Sequence, residues 1–337
     1  MKVALLTPTF SHFSGIDRLV EIKSREFAKK GDKVDIFALK ATIKPKGAIC
    51  YTLGMPKNAL FERIYRLCMW MDLPKINKYS KKLAGYDMVV SFQYPMNLLA
   101  CRAKKINKRL KYVYHNAGVG IEDSYSIAEK IYLKIFLFFT NMTLMNVDQV
   151  VSISNFLREE LKKQTGIDSK VEYIPIDKER FCKGVSGLST RKKLNIGSEP
   201  FLLYVGRLSP HKGIHLLIDS FKIVQKTYPK AKLVIVGKHT FSSYSKKLRK
   251  MASGNVIFKG FVADKDLSAY YSACDVYTTA SLWEGFDMPV AEANFMGKPV
   301  VAFDAGSHKE VLKKGILVPK GDVKKFAEAI IEILRRT

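Results

Sequence analysis

Short runs of β-branched and aliphatic residues recur along this chain between longer stretches of helical periodicity, and that alternation leaves few folds open. Residues 2–6, 33–37, 87–91, 111–115 and 148–152 read as buried strands. Between the first two, Leu19, Ile22 and Phe27 sit among charges, and Gly31 closes the helix they predict. The pattern then restarts: residues 201–205, 232–236, 256–258, 275–278 and 299–303 form a second strand series. The helix after its first member carries Ile214, Leu217, Ile218, Phe221 and Val224 on one face, a 3.6-residue stripe. Repeated strand–helix–strand units imply parallel sheets with helices on both faces. Between the series, residues 174–187 have Pro and Gly punctuation and no periodicity. The expected architecture is α/β, with a doubly wound domain at 1–175, a linker at 176–187 and a second doubly wound domain at 188–337. Ligands of such sheets bind beyond the carboxyl ends of the strands, which makes a cleft between the domains the expected active site.

Charge narrows the partners. The 57 Lys and Arg against 31 Asp and Glu give a net charge of +26, spread over both halves, which favours nucleotides, nucleic acid or anionic lipid headgroups. The longest stretches without a charged residue, 3–16 and 88–101, are too short to span a bilayer. The apolar start lacks the core and cleavage site of a signal peptide. Cys50, Cys68, Cys101, Cys182 and Cys274 are odd in number and scattered, with neither metal-ligand nor redox spacing, so unpaired thiols in a cytoplasmic protein are expected. No metal site is expected either.

Two segments carry chemistry. In Tyr204-Val-Gly-Arg-Leu-Ser-Pro-His-Lys-Gly-Ile-His215 a strand ends at Val205, a loop carries Arg207 and Lys212, and a helix opens at Gly213. Two cations beside a helix N-terminus suit an anion, although in so basic a chain the loop also reads as a surface turn with solvated bases. In the segment from Ser281 to Val301, Pro289 marks the first turn of a helix. Glu284 then falls in the preceding loop and Glu292 on the helix, either as two carboxylates for the hydroxyls of a sugar-bearing ligand or as a cap and a solvated acid.

Gly-Arg-x-x-x-x-Lys-Gly, then Glu-Gly-Phe-x-x-x-x-x-Glu-Ala, then Gly-Lys-Pro-Val-Val-Ala resembles the donor-binding half of a group 1 (GT4-like) retaining glycosyltransferase of the GT-B fold. The detailed likeness runs over about residues 201–322; Val150-Val-Ser-Ile-Ser154, Ile174-Pro175 and Val318-Pro-Lys-Gly-Asp322 match more loosely. The resemblance implies two Rossmann-like domains, a nucleotide-diphosphate sugar donor (a UDP- or GDP-sugar), no cofactor, and transfer of a hexose to a glycan or lipid-linked acceptor in cell-envelope glycan, glycolipid or polysaccharide synthesis. By the same resemblance Arg207 and Lys212 bind the diphosphate, Glu284 holds hexose hydroxyls, and Glu292 meets the ribose. Gly206 and the backbone of Gly285, Phe286, Asp287 and Met288 face phosphates or sugar. His115 corresponds to a histidine near the donor sugar and Gly15 to the end of a glycine-rich turn. Retention in such enzymes is described as same-face attack within an ion pair, needing no protein nucleophile.

Departures are visible as well. Asp287 stands where family members usually have Gly, and a carboxylate there repels a diphosphate unless it points away or the donor lies differently. Ser14-Gly15 replaces a Gly-Gly pair, and Ile176-Asp177 replaces the usual Asn-Gly. The C-terminal helix that usually returns to the first domain is expected to be missing, which together with Asp287 keeps a catalytically impaired homologue as an alternative.

Membrane signals are weaker. Residues 59–71 mix bulky apolar side chains with Arg63 and Arg66, and Lys75, Lys78, Lys81 and Lys82 follow. A second basic cluster runs from Arg102 to Lys111. Each reads first as a packed helix with a solvated basic face, and otherwise as peripheral contact with an anionic membrane on the inner face of the plasma membrane. The apolar run 135–147 reads as a buried helix. A nucleic-acid-binding protein is the alternative from another class, resting on charge alone, since no aromatic–basic interleaving or known module is present. A dinucleotide-dependent oxidoreductase fits poorly, because the first strand leads into no Gly-x-Gly-x-x-Gly.

Overall fold

The computed structural model describes residues 1–337 except 12–14, 46, 121–124, 179, 182–183, 240–241 and 337. The chain divides into two compact units, Met1–Ile121 with Ser126–Ile174, and Pro175–Thr337 with Glu122–Tyr125.

The first unit runs β1 (Lys2–Phe10), α1 (Gly15–Lys29), β2 (Lys33–Ala41), β3 (Ile49–Thr52), α2 (Ala59–Cys68), α3 (Leu73–Leu83), β4 (Met88–Ser91), α4 (Met96–Ile106), β5 (Lys111–Asn116), α5 (Ile127–Met142), β6 (Gln149–Ser152), α6 (Asn155–Thr165) and β7 (Lys170–Val171). Its strands pair in parallel in the order β3-β2-β1-β4-β5-β6-β7. The central strand β1 is apolar on both faces, with Val3, Ala4, Leu5 and Leu6 all buried, because helices cover both sides of the sheet.

In the second unit follow α7 (Leu188–Lys193), β8 (Phe201–Val205), α8 (Ile214–Thr227), β9 (Lys232–Val236), α9 (Ser242–Met251), β10 (Val256–Gly260), α10 (Asp264–Ala273), β11 (Val276–Thr279), α11 (Met288–Phe295), β12 (Val300–Phe303), α12 (His308–Val311), β13 (Gly315–Val318) and α13 (Val323–Arg335). The sheet order is β10-β9-β8-β11-β12-β13, again parallel. The stripe Ile214, Leu217, Ile218, Phe221 and Val224 is wholly buried, and Phe326, Ala327, Ile330 and Ile333 of α13 join the same core. Each such Val, Leu, Ile or Phe side chain contributes about 1.5–3 kcal/mol on burial.

The expected α/β architecture is the observed one. Three strands were not anticipated: β3, β7 and β13. The stretch expected as a linker falls in the second unit, where Phe181 is buried in the core and the Arg180 carbonyl accepts from Ser268 Oγ at 3.0 Å. The apolar run 135–147 is a correction. It lies on a helix, but Ile135, Phe138, Met142 and Met145 are exposed, because only Phe136 and Thr140 of α5 turn fully inward. Cys50, Cys68, Cys101 and Cys274 are free thiols; Cys182 lies outside the described residues.

Candidate active site

Strand order decides where chemistry gathers in the second unit. β8 and β11 are neighbours, yet the chain leaves them in opposite directions, toward β9 and β10 on one side and β12 and β13 on the other. Loops that diverge at such a reversal leave a crevice at the carboxyl ends of the strands. The loop after β8 carries Gly206, Arg207 and Lys212, the loop after β11 carries Glu284, Gly285, Phe286 and Asp287, and the loop after β12 leads to His308.

Backbone contacts at glycines lock these loops together. Gly213 has φ +60°, and a Cβ there would lie 1.9 Å from the Ala280 carbonyl oxygen. Two residues earlier, the His211 carbonyl accepts from the Leu282 N–H at 2.8 Å. At Gly306, φ +58°, a Cβ would sit 2.2 Å from the Glu284 carbonyl oxygen, which also accepts from the Ser307 N–H at 3.0 Å. A side chain would force the three loops apart.

Arg207 is exposed, and its guanidinium has no hydrogen bond or ion pair among the described residues. Lys212 is mostly buried and donates to Glu284 Oε1. Burial pushes the Glu284 carboxyl above its ordinary range; the Lys212 ammonium opposes the rise and Asp287 adds to it. His211, between the two cations in sequence, is held at about 2 by burial first and then by Lys212 and Arg207, so its ring is neutral.

Asp287 does point away from solvent. It is buried and caps α11, Oδ1 accepting from the Val290 N–H at 3.4 Å while Oδ2 faces His308 Nε2 at 3.0 Å. His308 Nδ1 lies 2.6 Å from the Phe303 carbonyl, so this nitrogen donates, and a ring whose other nitrogen meets a carboxylate is best satisfied as the imidazolium. Burial works against that charge, but the bond to Asp287 and the charges of Asp287 and Glu284 raise the pKa above its ordinary value. Burial likewise opposes the Asp287 carboxylate, and the His308 bond together with Lys212 still hold it below the usual range. The repulsion anticipated at Asp287 is therefore neutralised from within. Glu284, Asp287 and His308 each offer one ligand atom within 4.8 Å of the others, an arrangement that could hold a metal ion and that sequence spacing does not reveal. Lys212 and His308 already supply positive charge to it.

Glu292 lies on α11 as expected, and it is buried there against protein partners. Its Oε2 accepts from the Tyr271 hydroxyl at 2.8 Å and its Oε1 from Arg180 Nη1 at 3.3 Å, while Arg180 also pairs with Asp264 at 2.7 Å. The Met288 N–H donates to the Phe286 carbonyl at 3.2 Å and closes a turn. Gly206 lies against Tyr204, whose hydroxyl donates to the Arg207 carbonyl at 3.2 Å.

In the first unit the sheet reverses between β1 and β4. Gly15 opens α1, the helix that follows β1; Ser14 lies outside the described residues. His115 stands near the end of β5, buried and stacked on Phe92 with ring centroids 5.2 Å apart. Burial, then Lys23, lower its pKa to about 4, so the ring is neutral at pH 7, and its Nδ1 has no hydrogen-bond partner among the described residues. Sequence reasoning missed His308, His211, Arg180 and Tyr271. Each works through a residue far away in sequence or through the backbone, and a histidine in a basic chain gives no local signal.

Two tandem doubly wound sheets, one with a basic loop and a buried carboxylate pair at its reversal point, define the GT-B class of architecture. The sequence matches the family models "Glycosyltransferase Family 4" over residues 13–176 and "Glycosyl transferases group 1" over residues 188–337, and the chain belongs to the group 1, GT4-like family. YtcC of Bacillus subtilis (strain 168) is 28% identical over 258 residues, 69% of this chain and 59% of that protein. The GDP-mannose-dependent alpha-(1-6)-phosphatidylinositol monomannoside mannosyltransferase of Mycobacterium tuberculosis (strain ATCC 25618 / H37Rv) is 29% identical over 205 residues, 56% of this chain and 52% of that one. The chain thus spans little more than half the length of these curated relatives. The crystal structure of Anabaena HepE in complex with UDP and glucose superposes with a TM-score of 0.79 at 21% identity, covering 99% of this chain and 90% of that chain, a likeness of fold.

Proposed function

We propose that this chain transfers a hexose from a UDP- or GDP-sugar to a hydroxyl acceptor with retention of anomeric configuration. The observation that carries the reading is the exposed, unengaged Arg207 sharing a loop with Lys212 at the reversal point of the second sheet. Arg207 grips the diphosphate bidentately and Lys212 adds a point charge, so negative charge building on the leaving group meets two cations. Glu284 accepts from hexose hydroxyls, and Glu292, oriented by Arg180 and Tyr271, accepts from the ribose. The backbone of Gly206, Gly285, Phe286 and Asp287 lines the donor, while the Asp287 side chain acts through His308. In the first unit, the free Nδ1 of His115 receives a sugar hydroxyl and Gly15 lets the backbone approach substrate closely. The acceptor hydroxyl attacks on the face the leaving group departs from, within an ion pair, and no side chain serves as nucleophile.

The mycobacterial relative is named for GDP-mannose and a phosphatidylinositol mannoside, and the HepE structure holds UDP and glucose, which supports this donor class and a glycan or lipid-linked acceptor. Cell-envelope glycan synthesis at the cytoplasmic face follows from that chemistry as part of the proposal.

The test is thermal shift with a panel of nucleotide diphosphates and nucleotide sugars, on wild type, Arg207→Ala and Lys212→Ala. A ligand held only by the native state raises the melting temperature by mass action. Arg207→Ala is expected to abolish the shift while changing stability by less than about 0.5 kcal/mol, since it is exposed. Lys212→Ala is expected to abolish the shift and also cost about 3 kcal/mol, because it strands Glu284. No shift with any nucleotide refutes the donor site.

A further inference from the structure

We propose that α2, the turn after it and α5 together form a docking surface for an anionic lipid bilayer. The two segments form one face. Arg63 pairs with Glu129 at 3.8 Å and lies over the Tyr132 ring at 5.4 Å, and Trp70 stacks on Phe139 with centroids 6.3 Å apart. That face leaves large apolar side chains in water: Phe61 and Phe138 are each 60% exposed and Ile127 79%, with Leu60, Met71, Ile131 and Met142 exposed as well. Large apolar side chains exposed together on two packed segments mark an interaction site in a folded protein. Both helices are nonetheless well made. Asn58 caps α2, and Ser126 with Glu129 forms a capping box on α5, so the face is ordered rather than frayed.

Charge selects the occupant. Residues 59–71 and 126–146 carry four Lys and Arg against two Asp and Glu, and Lys75, Lys78, Lys81 and Lys82 follow on α3. A second copy of the chain would bring like charges together across a two-fold contact, whereas anionic headgroups complement them. Aromatic and aliphatic side chains mixed with bases fit the interface of a bilayer. The mode is peripheral, since no helix among the described residues is long and apolar enough to cross a membrane.

Flotation of the full chain with phosphatidylcholine vesicles, with and without phosphatidylglycerol, tests this without any nucleotide sugar, so its result is independent of the donor site. Binding is expected only with phosphatidylglycerol. The triple variant Leu60→Gln, Phe61→Gln, Phe138→Gln should bind about tenfold more weakly or worse at an unchanged melting temperature, because Gln keeps the helices and removes only exposed apolar groups. Neutralising Lys105, Lys108 and Arg109 instead should change binding less than about fivefold, the effect of a single base near the surface. Trp70 fluorescence should be quenched by brominated acyl chains, and Trp70→Phe should remove that quenching. Equal binding by the apolar variant, an equal loss in the charge variant, or a lipid-free dimer that the apolar variant dissolves would each overturn the proposal.

Discussion

Asp287 and His308 form a buried pair whose dependence on pH has a definite sign. Burial disfavours the imidazolium, yet the bond to Asp287 and the charges of Asp287 and Glu284 raise His308 above its ordinary 6.5. Burial disfavours the carboxylate too, and His308 with Lys212 hold Asp287 below its ordinary 3.8. A raised histidine gives stability that is complete below pH 6.5 and lost as pH climbs through the folded value. A lowered aspartate gives stability present above pH 3.8 and lost as pH falls through its folded value. The pair therefore contributes most between those limits and fades on the alkaline side. In urea melts, wild type should lose more stability between pH 5.5 and 8.5 than the double variant Asp287→Asn, His308→Gln. Parallel pH slopes would refute the charged pair. The single change His308→Gln should cost about 3 kcal/mol by removing the hydrogen-bonded counter-charge of a buried carboxylate. None of this is visible along the sequence, where Asp287 shows only as a departure from the family pattern and its partner lies 21 residues on.

Among the elements, what was legible and what was not divides along physical lines. The expected strands at 201–205 and 232–236 coincide with β8 and β9, because strands covered on both faces read as unbroken aliphatic runs between turns. β3 lies at a sheet edge with half-exposed residues, and β7 has two residues, so neither leaves such a run. The run 135–147 was misread for a different reason: hydrophobicity alone does not say whether a partner within the chain covers it. Glu284 and Glu292 were correctly set on loop and helix by Pro289, whereas the commitment of the Met288 N–H depends on a turn that no residue type announces. The loop packing at Gly213 yields a prediction at this scale. Gly213→Ala combines a left-handed backbone with a Cβ driven into the Ala280 carbonyl, and should cost about 3 kcal/mol while also abolishing donor binding. Calorimetry with the preferred nucleotide checks both; a stable variant that still binds would mean the loops after β8 and β11 are not held by this contact.

For the whole molecule, the net charge of +26 is the feature that could mimic function without being it. A dispersed positive field attracts any polyanion, and counterion release makes such binding fall steeply with salt, about a thousandfold or more between 50 and 200 mM when six or more phosphates are contacted. A nucleoside diphosphate held by Arg207 and Lys212 at fixed backbone positions meets two side-chain cations at short range, where screening over a Debye length of about 8–10 Å acts weakly. The two modes should therefore separate in one titration series. Filter binding of duplex DNA is expected to collapse across that salt range, while affinity for the diphosphate declines less than about tenfold and vanishes in Arg207→Ala at every salt concentration. DNA affinity should hardly notice that substitution, since one charge among 57 basic residues is lost. The reverse pattern, salt-resistant DNA binding and a diphosphate affinity that tracks ionic strength as steeply as DNA does, would move the chain from the donor-site reading to that of a polyanion binder.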